Sequence, residues 1–343
     1  RDRSPSRGLG DVYKRQMLSR KLNIAHLPTP IHKLENLSEQ LGKDIYIKRD
    51  DYTGTEVSGN KIRKLEYTIQ YALDQGFDCV ITTVAITSNH ARATAAVCAK
   101  YQIPCHLVLR GEYDEFEGNL FLDRILGAAV HLIGPDESRE SAMEAVAEDL
   151  KAQQHNPLLI PVGASDWIGT HGYIDAYHEI VTQQQQLGIN FDSIHVAVGS
   201  GGSYAGLWYG AHTEQHATQV IGYAVDQSTQ AFERKVQDII LDLDDTVKDF
   251  DTLRIVADYI GEGYGIATDE ELQFYIDIAQ LEGIVLDPTY TGKAFRGLVN
   301  EIKKGHYEHH DRILFVHTGG LQGYTQVIRD RIEGLLDQRK NDR

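Results

Sequence analysis

The sequence predicts an α/β protein in which parallel-rich, twisted sheets are flanked by helices. Two stretches carry this prediction, because each joins a buried strand to a helix through a polar or glycine-rich turn. Residues 79–101 have the pattern of an apolar strand, a turn and an alanine-rich helix, and another strand follows at residues 105–109. Residues 194–207 repeat the order of strand, turn and helix. Strands that alternate with helices in this way form parallel sheets.

The chain before residue 60 predicts three elements in order. The two prolines of residues 27–31 indicate extended backbone. A helix follows over residues 34–41, where leucines recur at helical spacing, and Gly42 ends it. Residues 45–51 then form a short strand.

Lys61 opens the next helix, which has an apolar face over residues 62–73 and ends at Gly76. Ser58 or Asn60 is expected to cap it. The positive end of the helix dipole is an unfavourable place for a lysine kept only for solubility. An amine in an electropositive, partly dry setting has a lowered pKa, which a Schiff-base lysine needs. Most lysines at such positions are solvated surface charges, so the assignment depends on the other motifs.

Ser88 and Asn89 directly follow the strand at residues 79–86. Ligands of parallel sheets bind at the carboxyl ends of the strands, which makes both side chains candidates for a ligand site. The two residues are also expected to cap the helix that follows, and capping does not exclude a ligand.

The middle of the chain continues the alternation, with a helix over residues 137–154 and a short strand at residues 158–163. Residues 153–157 are polar and turn-rich, which indicates a domain boundary. We therefore expect a small domain, residues 63–162, between two parts of a large domain. Those parts are residues 17–62 and residues 163–343.

Residues 1–16 are not expected to belong to the fold. They are polar and lack periodicity, and residues 11–16 look like the translation of a sequencing-library adapter. Met17 is the expected start of the native chain. A disordered basic tail is the alternative.

Composition disfavours several classes of function. The 343-residue chain has a formal net charge of −16, so nucleic acid and anionic membranes are not expected as partners. No run reaches the roughly 18 apolar residues of a membrane span.

Cys79, Cys98 and Cys105 lack metal-type spacing and indicate buried thiols in a reducing compartment, which predicts a cytoplasmic location. The histidines of residues 306–310 lie in a polar loop without matching partners, so no metal site is expected.

A glycine-rich loop at residues 199–203 follows the buried strand at residues 194–198 and opens a helix. Such a loop lets several backbone N–H groups point at one phosphate, with the helix dipole behind them. The loop lacks the Lys-Ser/Thr ending of a nucleotide P-loop and the full spacing of a dinucleotide fingerprint. A single phosphate without a metal fits better, and a purely steric turn is the alternative.

Three downstream stretches present polar side chains at turns. Tyr264 stands between glycines in one loop, and Tyr290 and Thr291 stand at a helix start. The last buried strand, residues 313–316, leads to Thr318 and two glycines. A lone tyrosine in a loop usually serves packing, so its flanking glycines add only modest support for a functional role.

A Schiff-base lysine, a phosphate loop and a hydroxyl after the last strand together indicate pyridoxal phosphate. With these features, residues 27–325 resemble the fold-type II pyridoxal-phosphate enzymes, specifically the D-cysteine desulfhydrase and 1-aminocyclopropane-1-carboxylate (ACC) deaminase family. The resemblance implies the two-domain fold of the tryptophan synthase beta chain, pyridoxal 5'-phosphate as the cofactor, a small amino acid as the substrate and a homodimer. The matching segments are residues 46–51, 59–61, 63–66, 88–90, 199–207, 263–265, 287–293 and 317–320.

The resemblance also implies roles at the cofactor. Lys61 would carry the cofactor as a Schiff base and later move protons at the α carbon of the substrate. Lys64 would help the loop backbone to hold the phosphate. Asn89 would hydrogen-bond the ring oxygen, and Thr291 or Thr318 would face the pyridine nitrogen. The remaining residues expected at the cofactor are Ser200, Gly201, Gly202, Ser203 and Gly319.

On the substrate side, the resemblance implies that Ser88 would hydrogen-bond the carboxylate and that Tyr264 and Tyr290 would line the pocket. The deaminase branch would have a glutamate where Thr291 stands, to keep the pyridine protonated. A neutral hydroxyl makes the ring a weaker electron sink, which suits β-elimination of a good leaving group. The resemblance is therefore stronger to the desulfhydrase branch, which converts D-cysteine to pyruvate, hydrogen sulfide and ammonia.

The chain departs from the family pattern just before Ser88. The family usually has a small-residue turn that ends in Ile-Gln, whereas here Thr87 replaces the Gln, and Val84 or Ala85 replaces a Gly. These positions lie beside the expected substrate carboxylate, so ACC, L-cysteate and β-chloroalanine remain alternative substrates. A protein that binds the cofactor or an amino acid without turnover is a further alternative.

Overall fold

The computed structural model describes residue 18 and residues 20–111 and 117–341. The expected tail at residues 1–16 and the expected start at Met17 lie outside the described residues. Within the described residues the chain forms ten strands, eleven helices and three short 3-10 turns. No helix in these ranges is long and apolar enough to cross a membrane.

The strands and helices alternate along most of the chain. The strands are β1 (Ile31–Lys33), β2 (Asp44–Lys48), β3 (Cys79–Ala85), β4 (Cys105–Arg110), β5 (Ala129–Ile133), β6 (Pro157–Ile160), β7 (Ser193–Val198), β8 (Gln219–Ala224), β9 (Ile255–Val256) and β10 (Arg312–Val316). The helices are α1 (Glu35–Leu41), α2 (Lys61–Asp74), α3 (Asn89–Tyr101), α4 (Gly118–Ile125), α5 (Arg139–Ala152), α6 (Trp167–Leu187), α7 (Gly202–Thr213), α8 (Thr229–Leu243), α9 (Asp269–Glu282), α10 (Thr291–Lys303) and α11 (Gln326–Asn341).

The strands form two sheets. The larger has the order β1-β2-β10-β7-β8-β9, in which β1 pairs antiparallel with β2 and the other pairs are parallel. The smaller has the order β5-β4-β3-β6 and is parallel in every described pair. The chain begins the large sheet, builds the whole small sheet and then returns to the large one. This confirms the α/β class with parallel-rich sheets, while the domain limits at residues 62 and 163 stay a prediction.

Helices cover both faces of the large sheet. All six residues of β7 are buried, as expected for a parallel strand packed on two sides. Tyr173 on α6 and Tyr204 on α7 belong to the apolar cluster on one face, and Phe295 on α10 belongs to the cluster on the other. Ile62 and Leu65 on α2 pack with residues of β3 and β4 in the core of the small sheet.

A buried ion cluster ties α2 to the large sheet as well. Arg63 Nε and Nη2 donate to the carboxylate of Asp50 at 2.9 and 2.8 Å, and Arg63 Nη1 donates to Glu179 Oε2 at 3.0 Å. Lys48, at the end of β2, donates to Glu179 Oε1 at 2.6 Å. The cluster therefore fixes the start of α2, where Lys61 lies.

The expected side-chain cap of α2 is wrong. Asn60 stands at the N-cap position and makes no capping hydrogen bond. Its Nδ2 instead donates to Ser203 Oγ at 2.9 Å, which connects the start of α2 to the glycine-rich loop. Ser58 does not cap the helix either, and its carbonyl accepts from Arg92 Nη2.

Candidate active site

A cavity of about 350 Å³ opens where strands of both sheets end. The small sheet contributes Val84 and Ala85 from β3, and the large sheet contributes the segments after β7, β8 and β10. The predicted site residues that line the cavity are Lys61, Ser88, Asn89, Ser200, Gly201, Ser203, Tyr264, Tyr290, Thr318 and Gly319. Lys64, Gly202 and Thr291 are not among the lining residues.

Lys61 is the first residue of α2 and lines the cavity. Burial lowers the pKa of its amine to about 8, and the carboxylate of Asp287 opposes this shift. Roughly a tenth of such amines are neutral at pH 7, against fewer than about one in a thousand at the ordinary pKa of lysine. A nucleophile or a base needs the neutral form, so the site favours that chemistry.

The glycine-rich loop before α7 presents an anion-binding wall. Gly201 has a φ of 92°, in the left-handed region that glycine adopts without strain, and it precedes the first turn of the helix. The N–H of Gly202 donates to Ser165 Oγ at 3.2 Å, and the other N–H groups of that first turn, which have no acceptor within the helix, attract an anion. The hydroxyls of Ser200 and Ser203 lie on the same loop, and both residues line the cavity.

Lys64 lies behind this wall. Its Nζ donates to the carbonyl of Gly163 and to Ser165 Oγ, both at 2.7 Å. A Cβ on Gly202 would lie only 2.6 Å from that Nζ, so the ammonium lies directly against the loop backbone. Burial and the nearby charge of Lys61 lower the pKa of Lys64. Backbone N–H groups, hydroxyls and a cation are the donors that hold a phosphate.

Ser88 caps α3, as expected, because its Oγ accepts from the N–H of His90 at 3.1 Å. No described residue accepts the hydroxyl hydrogen of Ser88, so that hydrogen is available to a ligand. Asn89 is the first residue of α3 and does not share in the cap.

Tyr264 and Tyr290 form a pair in the cavity wall. Their hydroxyls hydrogen-bond each other, and their rings meet edge to face with centroids 5.7 Å apart. Burial raises the pKa of both phenols, which therefore stay protonated at neutral pH. One hydroxyl hydrogen is used within the pair, and the other is free to be donated.

The two candidate threonines have different surroundings. Thr318 lines the cavity, and its carbonyl accepts from the N–H of Asn60 at 3.1 Å. Thr291 is fully buried, where its Oγ1 donates to Asp287 Oδ1 at 2.7 Å and accepts from the N–H of Asp287 at 2.8 Å. Thr291 thus holds a buried carboxylate in place, away from the cavity.

Four charged residues that line the cavity were not predicted from the sequence: Arg139, Glu140, Asp226 and Lys235. Asp226 follows β8, and a polar residue after a buried strand at the same sheet edge was an available signal. Arg139 and Glu140 begin α5, and Lys235 lies within α8. Tertiary packing alone brings these three to the cavity, so no local pattern marks them.

Comparisons with known proteins agree with this geometry. A family described as "Pyridoxal-phosphate dependent enzyme" matches residues 22–319. The chain is 41% identical to the bifunctional D-cysteine desulfhydrase/1-aminocyclopropane-1-carboxylate deaminase, mitochondrial, of Arabidopsis thaliana, over 94% of this chain and 84% of that protein. It is 36% identical to the D-cysteine desulfhydrase of Serratia proteamaculans, over 88% of this chain and 93% of that protein.

Solved structures show the same relationship. The crystal structure of an ACC deaminase homologue superposes with a TM-score of 0.84 at 38% identity, covering 93% of this chain and 98% of that one. Threonine deaminase isoform 2 from Solanum lycopersicum matches with a TM-score of 0.65 at 17% identity, covering 96% and 87%. At that lower identity the likeness shows the fold alone.

Proposed function

Because the chain belongs to the family of pyridoxal-phosphate-dependent enzymes, we propose that it catalyses α,β-elimination on a small β-substituted amino acid, with D-cysteine as the substrate. The products would be pyruvate, hydrogen sulfide and ammonia. One observation carries the proposal: a desolvated Lys61 and an anion-binding helix start line the same cavity. The relatives named D-cysteine desulfhydrase support this choice of substrate.

The residues present fit pyridoxal 5'-phosphate. We assign its phosphate to the N–H groups of residues 200–203 with Lys64 behind them, its ring oxygen to Asn89 and its covalent attachment to Lys61. When bound, the cofactor draws electron density away from the α carbon of the amino acid.

Thr318 is the proposed partner of the pyridine nitrogen, because Thr318 lines the cavity whereas Thr291 is bonded to Asp287. A neutral hydroxyl at this place leaves the ring a weaker electron sink than a carboxylate would. Elimination tolerates the weaker sink because the leaving group itself takes an electron pair. Ring opening has no such leaving group, so this geometry favours elimination.

Lys61 and Ser88 would act at the α carbon. The Ser88 hydroxyl donates to the substrate carboxylate and so orients the α C–H bond. Lys61 Nζ then accepts the α proton as a general base, for which its lowered pKa suits it. The electron pair of the C–H bond forms a C=C bond as the C–S bond breaks.

The tyrosine pair would act at the leaving group. Sulfur departs with the electron pair of the C–S bond and needs a proton or a hydrogen bond. The free hydroxyl hydrogen of the pair formed by Tyr264 and Tyr290 supplies one, since both phenols stay protonated at neutral pH. The enamine product then hydrolyses to pyruvate and ammonia.

The test measures sulfide and pyruvate released from D-cysteine and from L-cysteine by the cofactor-loaded protein. We expect equal amounts of both products from D-cysteine alone. The Lys61→Ala variant should lose the visible absorbance of the bound cofactor and slow elimination by about 10²–10⁴-fold or more. Full turnover by Lys61→Ala would disprove the assignment of Lys61.

The same assay separates the alternative substrates. ACC deamination is the second candidate, because the Arabidopsis relative is named for both activities. Release of 2-oxobutyrate from ACC would identify this activity. L-Cysteate would release sulfite. If none of these substrates gives a product although the visible absorbance of the bound cofactor is normal, the protein binds the cofactor without turnover.

We further propose a homodimer in the cytoplasm. Cys79, Cys98 and Cys105 are unpaired and buried, as expected of thiols in a reducing compartment. The dimer follows from the family resemblance.

A further inference from the structure

Two donors hold the carboxamide of Asn89 from behind. Its Oδ1 accepts from Asn119 Nδ2 at 3.1 Å and from Arg92 Nη1 at 3.5 Å. A guanidinium has N–H donors and no acceptor, so the carboxamide atom that meets Arg92 must be the oxygen. The nitrogen of Asn89, with its two N–H donors, is therefore left for the cavity that Asn89 lines.

The orientation of Asn119 is determined in the same way. Its Oδ1 accepts from Arg92 Nη1 at 3.0 Å, and its Nδ2 donates to the carbonyl of Thr87 at 2.7 Å. A guanidinium only donates and a carbonyl only accepts, so neither end of this carboxamide can be exchanged. Arg92 and the turn before Ser88 thus decide which way both asparagines point.

Arg92 also reaches the loop before Lys61. Its Nη2 donates to the carbonyl of Ser58 at 2.7 Å. Arg92 is fully buried, and burial lowers its pKa to about 10. Asp123, one turn from Asn119 on α4, lies near Arg92, but burial raises the pKa of its carboxyl to about 8, so at neutral pH it is mainly the neutral acid rather than a full counter-charge. No described residue hydrogen-bonds this carboxyl. Burying a guanidinium is costly, and here it joins α3, α4 and the loop that leads to α2.

We propose that Arg92 and Asn119 are positioning residues, which hold the Asn89 side chain so that its N–H₂ group donates to the ring oxygen of bound pyridoxal phosphate. The inference rests on the proposed role of Asn89, and it concerns the cofactor rather than the substrate. Neither Arg92 nor Asn119 lines the cavity, so both act through Asn89.

This arrangement has a spectroscopic consequence. A donated hydrogen bond favours the more negative form of the oxygen that accepts it. Losing the bond therefore raises the pH at which the visible absorbance of the bound cofactor changes, and it weakens cofactor binding. A residue with a merely structural role would not move that pH midpoint.

The test titrates the visible absorbance of the cofactor-loaded protein with pH and measures the cofactor dissociation constant. Asn89→Ala removes the donor and sets the reference shift, which we expect to be about one pH unit upward. Asn119→Asp keeps the shape and replaces the donor to Asn89 by an acceptor. The new carboxylate attracts the nitrogen of Asn89 more strongly than the long 3.5 Å contact with Arg92 holds its oxygen, so the carboxamide turns its nitrogen towards residue 119 and the midpoint rises by a similar amount.

The double variant Asn89→Ala/Asn119→Asp should shift the midpoint no further than Asn89→Ala alone, because Asn119 acts on the cofactor only through Asn89. Asn156→Ala is the matched control, because Asn156 is exposed and its Nδ2 donates to the carbonyl of Gly76 at 3.2 Å. Its midpoint should equal that of the wild type. Arg92→Lys keeps the charge, but a lysine cannot reach all three acceptors of Arg92, which are the side-chain oxygens of Asn89 and Asn119 and the Ser58 carbonyl. We therefore expect an upward shift of the midpoint that is smaller than in Asn119→Asp.

An unchanged midpoint in Asn119→Asp or in Asn89→Ala would overturn the proposal, and so would additive shifts in the double variant. If Asn119→Asp fails to fold by circular dichroism, Asn119→Ala removes the donor without adding an acceptor, and its midpoint should rise by less, because Arg92 still contacts Asn89 Oδ1. None of these measurements needs a substrate. An absence of D-cysteine turnover therefore counts against the proposed function and leaves this inference intact.

Discussion

Two opposing effects set the pKa of the Lys61 amine, and this pKa decides how much of the reactive neutral form is present. Desolvation favours the neutral amine, whereas the buried carboxylate of Asp287 favours the ammonium. Asp287 keeps its own position through hydrogen bonds from Thr289, Tyr290 and Thr291. The turn before α10 therefore regulates the basicity of a side chain on α2.

The pH dependence of cofactor attachment should follow this balance. Only the neutral amine attacks the cofactor aldehyde, so the attachment rate of the cofactor-free protein should rise with pH and level off above about 8. Asp287→Asn removes the negative charge that favours the ammonium, and the midpoint should move to lower pH. Stopped-flow absorbance measures both rates. A rate that does not depend on pH, or a midpoint that rises in Asp287→Asn, would contradict this account.

The sequence predicts Lys61, Ser88 and Asn89 as site residues because each stands at the end of a strand or the start of a helix. The sequence alone does not show whether Thr291 or Thr318 faces the pyridine nitrogen. Our proposal of Thr318 depends on Asp287, whose carboxylate accepts a hydrogen bond from the Thr291 hydroxyl. Contacts of this kind exist only once the turn is folded.

At the scale of elements, the glycine-rich loop and Lys64 form one unit. A methyl group at Gly202 would lie 2.6 Å from Lys64 Nζ and 3.0 Å from the Cα of Ser165. The flexible lysine would have to retract its ammonium, since the backbone at Ser165 has less freedom to move.

Gly202→Ala should therefore weaken cofactor binding by about tenfold or more, the equivalent of one charge-assisted hydrogen bond. Equilibrium dialysis of the cofactor measures the change. Gly334→Ala on α11 is the control, because a Cβ there meets nothing within 4 Å. That variant should bind the cofactor normally. Equal affinities in the two variants would show that Lys64 does not support the loop.

The ion cluster under α2 predicts a large effect on stability. Arg63→Met leaves Asp50 buried without its cation, which should lower the free energy of unfolding by about 3–5 kcal/mol. Urea denaturation measures the loss, and a change below about 1 kcal/mol would contradict the assignment.

The pH dependence of this contribution has a definite sign. Arg63 helps to hold the pKa of Asp50 at about 2, below its ordinary value of 3.8, even though burial alone would raise it. The stabilisation should thus be complete above about pH 4 and lost as the pH falls towards 2. The same denaturation experiment at acid pH checks this.

At the scale of the whole molecule, the predicted α/β class, the pyridoxal-phosphate cofactor and the family are confirmed. They were predictable because the informative motifs lie at strand ends, where a parallel sheet collects them. Arg139 and Lys235 were not predictable, since α5 and α8 reach the cavity only through the packing of both sheets around it.

The proposed homodimer predicts a mass in solution of about twice the 38.5 kDa of the chain, measured by light scattering. Ile125 on α4 and Val327 on α11 are large apolar side chains with exposed fractions of 64% and 69%, and we choose them as candidate interface residues. Ile125→Asp combined with Val327→Asp should shift the protein towards the monomer. A monomeric wild-type protein would exclude the dimer.

The cavity draws its walls from two sheets, and this has a consequence for evolutionary drift. The glycine-rich loop and Thr318 follow strands of the large sheet, whereas Val84 and Ala85 belong to β3 of the small sheet. Selection can therefore alter the side chains of the turn at residues 84–87 without disturbing the loop to which we assign the phosphate. A lineage with this fold can therefore explore new amino-acid substrates while it keeps its phosphate loop, provided that the backbone carbonyl of Thr87 still orients Asn119.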